Sequence, residues 1–250
     1  MTMCAIVIAV LAVVVYGLCR CTWWWPRWPD GVPSFLMLHS VSKDVVDPCC
    51  PNNTIRPGEL DALIAKLLKG GYRFRKFCEA AADPGRRDVV LTFDDGYADN
   101  FTELMPILKR HGVPATCFVT SRFGDPRFLS KAQLREIDAS GLVEIGGHTS
   151  DHCVLTSVSL AEAQRQIRDN KQDLEEILGH PIVSFAYPCG GENDVIVEAV
   201  RKAGYRFAAA MMKKMRPVET DPYRIHRQII PRGMKTWQSY LLATRGKCRI

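Results

Sequence analysis

Short apolar runs alternating with amphipathic stretches predict an α/β fold. The sheet should be mostly parallel with helices outside it, either a closed barrel or an open doubly wound sheet. Three observations carry this expectation. Runs such as Val89 to Phe93 and Ala115 to Val119 have the length of buried strands. The stretches between them place apolar residues at helical spacing and tend to end at glycine. Polar residues crowd immediately after several runs, at the edge where parallel sheets gather their functional groups.

Taken in order, Pro33 to Leu38 reads as a first buried strand and His39-Ser40 as the start of a polar loop rich in Pro, Asn and Cys. Pro57-Gly58-Glu59-Leu60 opens a helix carrying Leu60, Leu63, Ile64, Leu67 and Leu68, which Gly70-Gly71 stops. Val89 to Phe93 is a strand running into Asp94-Asp95-Gly96, and Asn100 to His111 is helical with Gly112 as its stop. Strands then follow near Ala115 to Val119, Leu142 to Ile145, Ile182 to Ala186, Phe207 to Ala210 and Ile225 to Ile230. Helices intervene near Lys131 to Ser140, Leu160 to Leu178 and Asp194 to Ala203, with a last one near Trp237 to Ala243.

The chain has 250 residues, 47% of them hydrophobic, enough for one catalytic domain over 33–250. Its net charge of +6 is spread along the sequence without a Lys/Arg block, which excludes a nucleic-acid surface. No strand is followed by a G-x-G-x-x-G or Walker A loop, which argues against nucleotide binding.

The N-terminus is different in kind. Met3 to Leu18 is almost continuously apolar, so 1–20 reads as a membrane segment or signal anchor, slightly short of the roughly 20 residues that span a bilayer. Trp23, Trp24, Trp25 and Trp28 give 21–32 the composition of an interfacial linker. The chain is therefore expected to be membrane-anchored. Arg20 and Arg27 on the C-terminal flank favour a cytoplasmic main domain, whereas an envelope substrate would require an extracytoplasmic one. Seven cysteines lie beyond the membrane region, an odd number that leaves at least one free thiol.

Two strand ends carry the chemistry. Asp94-Asp95-Gly96 alone could be an Asp-Gly turn, and His148 with His152 alone could be incidental. Together, two imidazoles and a carboxylate from separate strand ends form a three-ligand set for a divalent cation, leaving a coordination position for water. The adjacent carboxylate is then placed to accept a proton.

Thr92-Phe93-Asp94-Asp95-Gly96 followed by His148-Thr149-Ser150-Asp151-His152 resembles the first two signature motifs of the polysaccharide deacetylases, the NodB-like enzymes of carbohydrate esterase family four. The resemblance runs from about Pro33 to Ile230. It implies a distorted (β/α)7-type barrel and hydrolysis of an N-acyl group, most simply acetyl, from an amino-sugar glycan. It also implies Asp94 as general base and Asp95, His148 and His152 as ligands of a divalent metal such as zinc.

The third motif of the family survives only as Ala186-Tyr187-Pro188-Cys189-Gly190, without its arginine. This form resembles the branch acting on poly-N-acetylglucosamine, which implies that the Cys189 backbone N–H serves the oxyanion and that Tyr187 and Pro188 contact substrate. His226 is the candidate acid for the departing amine, with a packing role as the alternative, and Arg227 is a candidate for the missing cation. His39 is expected to line the pocket. Competing readings are deformylation or deacetylation of a lipid-linked amino sugar, and an inactive sugar-binding domain that keeps its metal site.

Overall fold

The computed structural model describes residues 33–85, 87–211 and 221–245. The expected membrane segment and Trp/Pro linker, 1–32, lie outside the described residues. Among the described residues no helix is long and apolar enough to cross a membrane.

Seven parallel strands form the body: β1 Ser34–Leu38, β2 Asp88–Phe93, β3 Ala115–Val119, β4 Val143–Gly147, β5 Ser184–Ala186, β6 Phe207–Met211 and β7 Ile225–Ile229. Each pairs with the next in chain order, and β7 returns to β1 through Leu36↔Gln228 and Met37↔Ile229. The sheet is therefore a closed barrel, as the resemblance implied, and not the open alternative.

The distortion sits between β2 and β3, which pair only at Thr92↔Thr116 and Phe93↔Cys117. Below that point the short strand Arg73–Phe74 takes the neighbouring place on β2, pairing with Asp88 and Val89. The Phe77 amide donates to Thr116 Oγ1 at 2.9 Å.

Helices α1 Pro57–Lys69, α2 Phe77–Ala82, α3 Met105–His111, α4 Lys131–Ala139, α5 Leu160–Leu178, α6 Asp194–Lys202 and α7 Thr236–Arg245 accompany the strands. Local chemistry sets their ends. Ser130, Ser159 and Asn193 accept backbone N–H groups at the N-termini of α4, α5 and α6, and left-handed Gly112 and Gly179 close α3 and α5. Asn100–Leu104 forms a π-helical turn where the sequence predicts the first turn of a regular helix. Six-residue α2 was not anticipated, because it is too short to show a period.

Strand residues alternate between two apolar layers, as the period of two requires. Phe35, Val90, Phe118, Ala186, Ala209 and Ile225 pack into one buried cluster, and Phe77 adds edge-on contacts to Phe35 and Phe118 at 5.4 and 5.3 Å. The intervening residues, Leu36, Val89, Leu91, Phe93, Phe185 and Ala208 among them, join a larger cluster with the helices. The lower barrel is thus filled, which leaves the C-terminal strand ends to build a site.

Candidate active site

The polar residues after β1, β2, β4 and β5 open onto one cavity of about 310 Å³. His39, Asp94, Asp95, His148, His152, Tyr187 and Cys189 all line it. Tyr97, Phe128, Arg122 and Arg127 form part of its wall, with Met37, Met211 and Ile229 as an apolar portion.

Asp94 is buried and gripped by Arg227 of β7. The guanidinium makes two parallel contacts, Nη1 to Oδ1 at 2.6 Å and Nη2 to Oδ2 at 2.7 Å, and Nη1 also donates to Thr92 Oγ1 at 2.8 Å. Arg227 is 0% exposed and lies against the Phe118 ring, 5.2 Å from its centroid. Burial alone would raise the pKa of Asp94, but the Arg227 charge and hydrogen bonds outweigh it and hold the carboxyl below its ordinary value. Arg227 thus keeps Asp94 ionised, with the carboxylate facing the cavity as a candidate proton acceptor. The arginine missing from the third motif is therefore supplied by β7.

Asp95, His148 and His152 converge, with one ligand atom from each lying within 4.8 Å of the others. His148 Nδ1 lies 2.8 Å from the Ala186 carbonyl, which can only accept, so this nitrogen carries a proton, and the neutral ring would turn its Nε2 lone pair to a bound cation. Asp95 Oδ1 is 3.3 Å from His148 Nε2 and 3.0 Å from His152 Nε2, yet it has no properly directed hydrogen bond to either. An orphaned buried acceptor beside two ring nitrogens fits a shared cation. Ligands about 2.0–2.2 Å from a tetrahedral zinc stand roughly 3.2–3.6 Å apart. Burial opposes ionisation of Asp95, but the two imidazoles hold its pKa well below the usual carboxylate range.

The backbone here is unusual. Asp95, Thr149, His152 and Cys189 have φ of 73°, 65°, 58° and 53°, left-handed values that L-residues with side chains seldom adopt. Such conformations cost energy and aim side chains or amides that ordinary turns would not. Among the described residues, the Cys189 amide donates to no protein group, while the next two amides close the turn onto Tyr187 and Pro188. Burial raises the Cys189 thiol pKa, which disfavours a nucleophilic role for the sulfur.

The remaining candidates are placed as follows. His39 lines the cavity, and burial lowers its pKa against the pull of Asp94 and Asp95, favouring a neutral ring. The Tyr187 hydroxyl donates to the Tyr223 carbonyl at 3.1 Å. Pro188 is buried in the turn and is not part of the cavity wall. His226 is not brought to the cluster, because strand alternation sends Ile225 and Arg227 inward and His226 to the other face. There its Nδ1 lies 3.1 Å from the Met211 carbonyl.

The family model described as polysaccharide deacetylase matches residues 81–208, just over half of the chain. The chain belongs to the polysaccharide deacetylase family. It is thus a hydrolase of carbon–nitrogen bonds, acting in the deacetylation of a polysaccharide. YxkH of Bacillus subtilis is 28% identical over 215 residues, covering 82% of this chain and 74% of that protein. The poly-beta-1,6-N-acetyl-D-glucosamine N-deacetylase of Staphylococcus epidermidis is 28% identical over 239 residues, 86% of this chain and 81% of that one. The deacetylase PplD of Streptococcus pyogenes, solved in complex with acetate, shares the fold. Its TM-score is 0.76 at 24% identity, covering 86% of this chain and 99% of that chain.

Proposed function

We propose that this polysaccharide deacetylase removes N-acetyl groups from N-acetylhexosamine units of an envelope polysaccharide. Asp94 is the general base, and Asp95, His148 and His152 hold a divalent cation, for which zinc suits the two imidazoles and one carboxylate. The observation that carries this reading is the Asp94–Arg227 ion pair facing the same cavity as the His/His/Asp cluster. A sugar-binding domain without chemistry has no use for a buried carboxylate held ionised at that point. The substrate class is supported by the Staphylococcus epidermidis relative, whose name specifies a β-1,6-linked N-acetylglucosamine polymer.

When bound, the cation supplies Lewis-acid activation of water and of the acyl carbonyl. The protein's own groups do the rest. Asp94 takes a proton from the attacking water, and Arg227 keeps Asp94 ionised until then. The Cys189 amide donates to the developing oxyanion, a task for which the side chain is immaterial. The leaving nitrogen needs a proton, and Asp94, once protonated by the attacking water, is the cavity group placed to return it.

The apolar N-terminal stretch supports a membrane anchor, and an envelope substrate requires the barrel outside the cytoplasm, against the cytoplasmic preference of the Arg20 and Arg27 flank. The test is mass spectrometry of β-1,6-linked N-acetylglucosamine oligomers after incubation with the zinc-loaded enzyme. Loss of acetyl groups is expected. Oligomers recovered unchanged, together with unchanged chitooligosaccharides, would defeat the proposal.

A further inference from the structure

Helix α5 carries two polar residues where its buried face should be apolar. Ala163, Ile167, Leu174 and Ile177 are buried along the helix, and Gln166 and Asn170 are buried with them, at 2% and 0% exposure. They stand four residues apart, one above the other on one face. Burying a carboxamide is costly unless its hydrogen bonds are met, and a Leu or Met would fill such a stripe at no polar cost.

Both side-chain oxygens accept a backbone amide of the loop that carries the histidines, while Gln166 Nε2 also donates to Glu162 Oε1 at 3.0 Å on its own helix. Asn170 Oδ1 accepts the His148 amide at 2.9 Å. Its Nδ2 donates to the Val119 carbonyl and to Ser121 Oγ, at 3.1 and 3.0 Å, tying the end of β3 to the start of the loop. One turn earlier, Gln166 Oε1 accepts the Asp151 amide at 3.0 Å and Nε2 donates to Asp151 Oδ2 at 2.8 Å. His148 and His152 are thus held by their own backbone or by that of the preceding residue. Gly147 makes the approach possible, since a Cβ there would lie 2.8 Å from Asn170 Oδ1 and 2.1 Å from Tyr205 Oη.

We infer that Gln166 and Asn170 are positioning residues for the cation site, a two-carboxamide clamp by which α5 sets the spacing of the two histidine ligands. The loop between the ligands contains left-handed Thr149 and His152, conformations that persist only under outside constraint. The clamp supplies that constraint. The inference rests on the reading of Asp95, His148 and His152 as cation ligands.

The experiment uses the full chain, stripped of metal with a chelator and titrated with zinc against a chromophoric competitor, with thermal unfolding of the metal-free protein in parallel. Asn170→Leu and Gln166→Met are each expected to weaken zinc binding by about 10- to 100-fold, the usual effect of losing the support of a metal ligand. Leu174→Ala, a buried position on the same helix, is expected to lower the unfolding temperature while leaving zinc affinity within about threefold. Zinc affinity at the wild-type level in both carboxamide variants would overturn the inference. So would an equal loss in Leu174→Ala, because helix stability alone would then explain it. If Asn170→Leu does not fold, Gln166→Met decides. A wild-type protein that binds no zinc would instead sink the metal reading beneath it.

Discussion

Replacing Arg227 by Met removes a guanidinium that is wholly buried and bidentate on Asp94, while keeping a side chain of comparable reach. Two unit charges about 4 Å apart attract by about 4 kcal/mol at an effective dielectric constant of about 20. Leaving one member of a buried pair uncompensated typically costs about 3–5 kcal/mol. For a chain of this size each kcal/mol shifts the unfolding temperature by about 2–4 °C, so Arg227→Met should unfold roughly 6–20 °C lower.

The deficit should depend on pH. In the wild type the folded pKa of Asp94 is depressed, so its stabilising contribution is present above the unfolded carboxylate value and is lost as pH falls through the folded one. In Arg227→Met the guanidinium no longer opposes burial, the folded pKa rises, and protonation relieves the penalty as pH falls. The gap between the two proteins should be widest near about pH 7 and narrow toward about pH 4. Denaturant unfolding at several pH values measures it. The double variant Asp94→Asn/Arg227→Met should recover most of the loss. A single variant as stable as the wild type, or a double variant no better than the single, would refute the pairing argument.

Other outcomes follow from the same geometry. Burial disfavours the charged form of His152, but Asp95 at 3.0 Å raises its pKa above 6.5 in the metal-free protein. Zinc must displace that proton, so affinity measured by competition should level off at high pH. It should weaken about tenfold per pH unit per displaced proton below the raised value; a flat profile would contradict this. Cys189→Gly keeps the amide and suits the left-handed φ of 53°, so kcat should stay within about threefold. A loss of about 100-fold or more, the scale of a missing oxyanion donor, would assign the work to the thiol. His226→Ala should leave kcat essentially unchanged, because the ring bonds the Met211 carbonyl on the outer face. A fall of about 100-fold would restore it as an acid.

The strand and helix alternation was legible because each buried strand is a short apolar run and each long helix an apolar stripe. The proposed base and cation ligands were legible because they sit next to strands ending in Phe93 and Gly147. Arg227 was harder: it stands 133 residues from Asp94, and only closure of the barrel brings β7 beside β1, one strand away from β2. Sequence alone did not say which alternate set of Ile225–Ile229 faces inward, so His226 stood as candidate acid and Arg227 as candidate cation, although neighbours on one strand face opposite sides. Gln166 and Asn170 were missed because α5 is rich in polar residues. The signal was present all the same, since both fall in register with the stripe of Ala163, Ile167 and Leu174.

The central claim is that Asp94 is a base separate from the cation ligands beside it. Acetate release from N-acetylglucosamine oligomers by wild type and Asp94→Asn, at matched zinc occupancy, tests it directly. Asp94→Asn should bind zinc within about threefold of the wild type and lose about 100- to 10,000-fold in kcat. Release at the wild-type rate by a zinc-loaded Asp94→Asn enzyme would contradict the account.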